Sequence, residues 1–276
     1  MRRAIPPSSA APPDIADPGS HRAALATLGA TPAAIATALQ GLLLHDAAAR
    51  AGLYGAPPAN LDLNARQTLP VAERLAQILA HDPRPLTTAR APFERAVATC
   101  RDFALLAAAA LRDAGWEAEV RGGFADYLGG NGFEDHWLCA CRPGGERRWR
   151  LVDAQLDAPQ RTALGIDFPI ADVPPDRFLT ADRAWREVRA GRRDAAAFGH
   201  GQEATGLWFL FVNLVRDHLA RGGRIASPWD GWRAAAPAQR HVAEGLAALG
   251  DRLAAGDAAA AVPDAPPWRM DLSRAR

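Results

Sequence analysis

The chain has 276 residues, 49% of them hydrophobic and 23% charged, with a formal net charge of +1. That length can bury a sizeable core as one large domain or two small ones. The balanced charge excludes a global field favouring nucleic acid or an anionic membrane surface. Three cysteines, two of them at Cys139 and Cys141, do not make a disulfide framework and point to a reducing, cytoplasmic location. No run approaches the roughly 18 apolar residues of a membrane span, and the N-terminus has no apolar signal region.

Residues 1–20 hold five prolines among small residues and read as a disordered leader. From Pro32 to Gly52 the spacing of Ile35, Leu39, Leu42 and Leu43 predicts a helix. Tyr54–Leu63 is turn-like. A second helix follows, with Pro70 in its first turn and Val71, Leu75, Ile78 and Leu79 on one face. A proline-punctuated loop then leads to Cys100. Beyond Asp157 comes a proline-bearing connection, a short helix over Ala181–Ala190 and an apolar, buried helix over Thr205–Arg221. A last helix is expected over 237–255, before an Ala/Pro-rich tail at 257–276. Residues 21–256 read as a single α+β domain, with a core at about 90–160 and helical flanks at 21–89 and 161–256.

The densest signals lie between Thr99 and Asp157. Thr99-Cys100-Arg101-Asp102 has the capping-box form before an apolar run, placing Cys100 at the first helical position. A thiol there faces unpaired N–H groups and the positive end of the helix dipole, which favours the thiolate. The same N–H groups suit an oxyanion formed when sulfur attacks a carbonyl. Three strands follow at Trp116–Phe124, Phe133–Cys141 and Arg148–Ala154. With Gly144-Gly145 as a two-residue hairpin turn, paired positions sum to 289. His136 then lies directly opposite Asp153, with Cβ atoms roughly 4.5–5.5 Å apart; a slip of one residue would separate their faces.

Other residues read more simply. Cys139 and Cys141 alternate away from His136 and lack a companion pair at ligand spacing, so core packing is expected and neither metal nor cofactor is. Asp102 is the cap partner, and Trp137 faces away with Cys139. Asp135 adjoins His136, and Asp157 is a strand-end carboxylate, usually solvated. His200 has no evident partner, and His218 is structural. The Tyr127–Gly132 loop leads into the His136 strand and is a candidate wall or cover for the cleft. The glycine pairs lack a strand-to-helix context, which excludes a phosphate loop.

The Cys100 helix CRDFALLAAAALRDAGWEAEVR, the DHW around His136 and the LVDAQLD around Asp153 together resemble the transglutaminase-like superfamily. That resemblance covers about 60 residues and implies a papain/transglutaminase-like core, in which a buried helix with an N-terminal cysteine packs on a small antiparallel sheet. It departs from many members in having Ala98-Thr99 before the cysteine, where glycine or tryptophan is frequent. By the resemblance, Cys100 is the nucleophile that forms a thioester, His136 the general base and acid, and Asp153 the residue orienting the imidazole. The implied reaction is amide hydrolysis or acyl transfer to an amine. Its partners are a peptide, protein or small-molecule acyl donor and an amine or water acceptor. All 32 basic residues are arginine, so the chain offers no lysine amine of its own. The alternatives are an inactive binding module of the same fold, and an amide-forming enzyme of a biosynthetic pathway.

Overall fold

The computed structural model describes residues 14–66, 69–130, 132–201, 203–224 and 228–263. In chain order the elements are α1 (Arg22–Ala26), α2 (Pro32–Gln40), β1 (Leu43–His45), α3 (Asp46–Arg50), α4 (Val71–His81), β2 (Ala96–Ala98) and α5 (Cys100–Asp113). Then come β3 (Trp116–Ala125), β4 (Phe133–Pro143), β5 (Arg150–Val152), α6 (Ala158–Leu164), β6 (Phe178–Thr180) and α7 (Ala181–Arg189). The last are β7 (Phe198–His200), β8 (Ala204–Thr205), α8 (Gly206–Arg221) and α9 (Glu244–Ala254). The class is α+β, with a small parallel sheet of β1 and β2 and a mixed sheet in the order β6-β3-β4-β7-β8, to which β5 adds on β4.

The long antiparallel pair β3–β4 is the centre. Because side chains alternate along a strand, Val120, Trp137, Cys139 and Cys141 face one side, in one core with α5 and with Leu39 of α2 and Leu75 of α4. Phe124 lies in a second core with Trp185 of α7, the α8 aromatics Phe209 and Phe211, and Leu253 of α9. Leu138 belongs to a third cluster with Tyr127, Leu156, Val173 and Phe178. The segment after β5 thus supplies the cover for the face that carries His136.

Five expectations need correction. The chain over 32–52 is not one helix, because Leu42 to Leu44 are buried and join β2, with Ala96 N–H donating to the Leu42 carbonyl at 3.0 Å. Consecutive leucines suit a strand buried on both faces as well as a helix, and pairing decides here. Of the supposed leader, residues 1–13 lie outside the described residues, but 14–20 are built in: Ala16 is buried and the Ile15 carbonyl accepts from Val71 N–H at 2.8 Å. In the tail, Ala260 is buried in the second core; 264–276 lie outside the described residues. The last helix starts only at Glu244, after a single 3-10 turn at Pro237–Gln239 closed by Arg240 N–H on the Pro237 carbonyl.

The fifth concerns register. The turn forms at Gly144-Gly145, with Glu146 N–H on the Pro143 carbonyl at 3.1 Å and Gly145 at φ +86°. The return arm does not pair at once, however. Residues 146–149 are irregular, and pairing resumes at Cys141↔Arg150, so paired positions sum to 291 rather than 289. Two extra residues on one arm preserve the face of every side chain. His136 and Asp153 therefore meet as diagonal neighbours instead of direct opposites. Among the described residues, no helix is long and apolar enough to cross a membrane.

Candidate functional site

Cys100 is the first residue of α5, and the cap that sets its direction is held from two sides. The Asp102 carboxylate accepts from Thr99 N–H at 2.9 Å and from Thr99 Oγ1 at 3.1 Å. Its other oxygen receives Arg74 of α4 at 2.8 Å, in a pair whose side chains are 2% and 1% exposed. Arg74 also donates to the Val97 carbonyl of β2 at 3.1 Å, tying the strand that delivers the cysteine to the helix that follows it. Arg74 went unnoticed in the sequence, yet it shares the Val71–Leu75–Ile78 stripe, and a charge on an apolar helix face signals a buried partner.

His136 is buried, and its Nε2 lies 2.8 Å from Asp153 Oδ2. The same Oδ2 accepts the Tyr127 hydroxyl at 2.9 Å, and Asp153 Oδ1 accepts Gln155 N–H at 3.2 Å. The Tyr127 and Phe178 rings stand edge-on to the imidazole, with centroids at 6.1 and 6.4 Å. The Cys100 sulfur also acts on the ring, in the sense that favours the imidazolium. Burial pulls the His136 pKa down, but the Asp153 charge and hydrogen bond, helped by Cys100, outweigh it and push the imidazole up to about 10. The imidazolium is thus the resting form at neutral pH. The structure brings Cys100, His136 and Asp153 together.

A second imidazole, unanticipated from the sequence, stands near them. His45 closes β1, and burial lowers its pKa to about 4; Asp46 and Asp153 work against the fall, and His136 and Arg66 add to it. Neighbouring histidines pushed in opposite directions are a mark of divided acid–base roles.

The remaining candidates fall elsewhere. Asp157 is buried rather than solvated: it caps α6 through Gln160 N–H at 3.2 Å and accepts the Tyr54 hydroxyl at 2.9 Å and Arg95 at 3.3 Å. Asp135 pairs with Arg216 at 3.2 Å, and the Arg101 and Arg216 guanidiniums both pack on the Trp137 ring. His200 is not partnerless, since its Nε2 meets Arg233 at 2.8 Å and its ring packs on Trp232. His218 sits near the C-terminal end of α8, its pKa lowered first by burial. Tyr127 carries the contribution of its loop, while Gly129 and Gly130 are exposed and Asn131 lies outside the described residues. Cys139 and Cys141 are fully buried, and burial pushes both thiols up, the second to about 11. Among the described residues no cluster could hold a metal ion. No family model matches the chain, and no curated protein or solved structure matches it either.

Proposed function

We propose that this chain is a cysteine-dependent acyl-transfer or amide-hydrolysing enzyme, built on a papain-like core of the transglutaminase-like kind and working in the reducing cytoplasm. The observation that carries the reading is the chain of contacts from the Cys100 thiol through the His136 ring to a buried, triply hydrogen-bonded Asp153. In such an arrangement His136 already holds the proton of the thiol, and the Cys100 sulfur attacks the donor carbonyl as the thiolate. The tetrahedral adduct collapses to a thioester as the imidazolium returns its proton to the leaving amine. Water or a second amine, deprotonated by His136, then attacks the thioester and releases Cys100. Asp153 fixes the ring orientation and favours the imidazolium. A groove on the His136 side of the sheet is lined by Arg121, Ala140, Leu151, Phe178 and Thr180, and none of the three site residues lines it.

Alkylation with iodoacetamide followed by peptide mapping tests the reactive thiol. Cys100 should be modified far faster than the buried Cys139 and Cys141, and hydrolysis of p-nitrophenyl acetate should vanish in Cys100→Ala. Unchanged hydrolysis in that variant would rule the nucleophile out.

A further inference from the structure

A tetrahedral adduct at Cys100 places a negative oxygen beside the start of α5. One donor is at hand: the Cys100 backbone N–H belongs to the first helical turn, where no intrahelical acceptor exists, and it has no acceptor among the described residues. The nearby side-chain donors are occupied. Thr99 Oγ1 is turned onto Asp102, the Tyr127 hydroxyl onto Asp153, and the Arg101 guanidinium onto Asp230 at 2.8 Å and the Trp137 ring.

His45 is different. The parallel register of β1 with β2 sets His45 opposite Ala98, two residues before the nucleophile. The charges of His136 and Asp153 both reach its ring. The ring is half-buried and makes no hydrogen bond or ion pair among the described residues. It occupies the N-cap position of α3 without capping it, so the local helix does not explain the side chain. As a neutral imidazole it retains one N–H, and it can donate that hydrogen bond without surrendering a proton.

We propose that His45 is a catalytic hydrogen-bond donor to the oxyanion formed at Cys100, completing a two-donor hole with the Cys100 backbone N–H. The proposal rests on the acyl-transfer reading above. His45 donates as the carbonyl oxygen gains charge, and the bond is released when the thioester carbonyl re-forms. His136 alone moves protons.

Two reactions of the same sulfur separate this role from a structural one. Acylation by p-nitrophenyl acetate passes through an oxyanion, whereas alkylation by iodoacetamide does not. In His45→Phe, acylation of Cys100 should fall roughly 10²–10³-fold, the usual effect of removing one oxyanion donor, while alkylation keeps its rate and the melting temperature holds. His45→Gln, which retains an N–H donor, should recover part of the acylation rate. Equal falls in both reactions would overturn the proposal, because His45 would then be acting on the thiolate; so would an acylation rate unchanged in His45→Phe. If Cys100 of the unmutated protein were acylated no faster than a free thiol, the acyl-transfer reading itself would fail, and the donor role with it.

Discussion

Asp153 accepts three hydrogen bonds at zero exposure, from His136, Tyr127 and the Gln155 backbone. A buried carboxylate survives only when satisfied in this way. Tyr127→Phe removes one donor to a charged acceptor, so stability by urea unfolding should drop by about 1.5–3 kcal/mol, with slower acylation of Cys100 as the imidazole loosens. A variant as stable as the parent would show that Tyr127 does not hold Asp153. The pH dependence follows from His136. Its folded pKa of about 10 stands above the ordinary histidine value of 6.5, so its charge stabilises the fold fully below pH 6.5 and that contribution is lost as pH rises through about 10. The stability gap between the parent and Asp153→Asn should therefore narrow between those pH values. A constant gap would contradict the assignment. Of these residues, Cys100, His136 and Asp153 were legible because they lie on adjacent elements with strong boundary signals. His45 was not: it ends a three-residue strand inside a stretch with helical spacing, and only the long-range pairing with β2 brings it near Cys100.

The start of α5 and the β4–β5 hairpin position the site as elements. The capping box was readable because its partners are three residues apart, but its anchor, Arg74, comes from α4. Removing one partner of a buried pair strands a charge, so Arg74→Met should cost about 3–5 kcal/mol in urea unfolding. Breaking the exposed Arg142–Glu117 pair by Arg142→Ala should cost less than about 1 kcal/mol. Comparable losses would show that Arg74 is not the anchor. The hairpin shows where local chemistry stops. Gly144-Gly145 does turn the chain, but the turn does not fix how soon the return arm pairs. The two-residue offset left the facing of Asp153 intact because side-chain direction repeats every second residue.

Across the whole molecule, one side of the central sheet is covered by two groups of helices, with α5 and the N-terminal helices in the first and α7, α8 and α9 in the second. The buried helices were readable from continuous apolar runs; the docking of α9 was not, since it depends on Gly250 lying against the Trp185 indole. Ala favours a helix over Gly by about 1 kcal/mol, yet a Cβ at 250 would overlap a fully buried ring that also donates to Asp251 at 2.8 Å. Overpacking costs about 1–3 kcal/mol, so Gly250→Ala should lower the melting temperature. A rise would mean that α9 docks otherwise.

The central claim is that Cys100 carries an acyl group during turnover. Intact-protein mass spectrometry of samples quenched within the first turnovers with p-nitrophenyl acetate tests it directly. The arrangement of Cys100, His136 and Asp153 predicts one acetyl adduct mapping to Cys100, discharged when an amine is added and absent in Cys100→Ala. An unmodified Cys100 during continuing turnover, or the same adduct in Cys100→Ala, would contradict it.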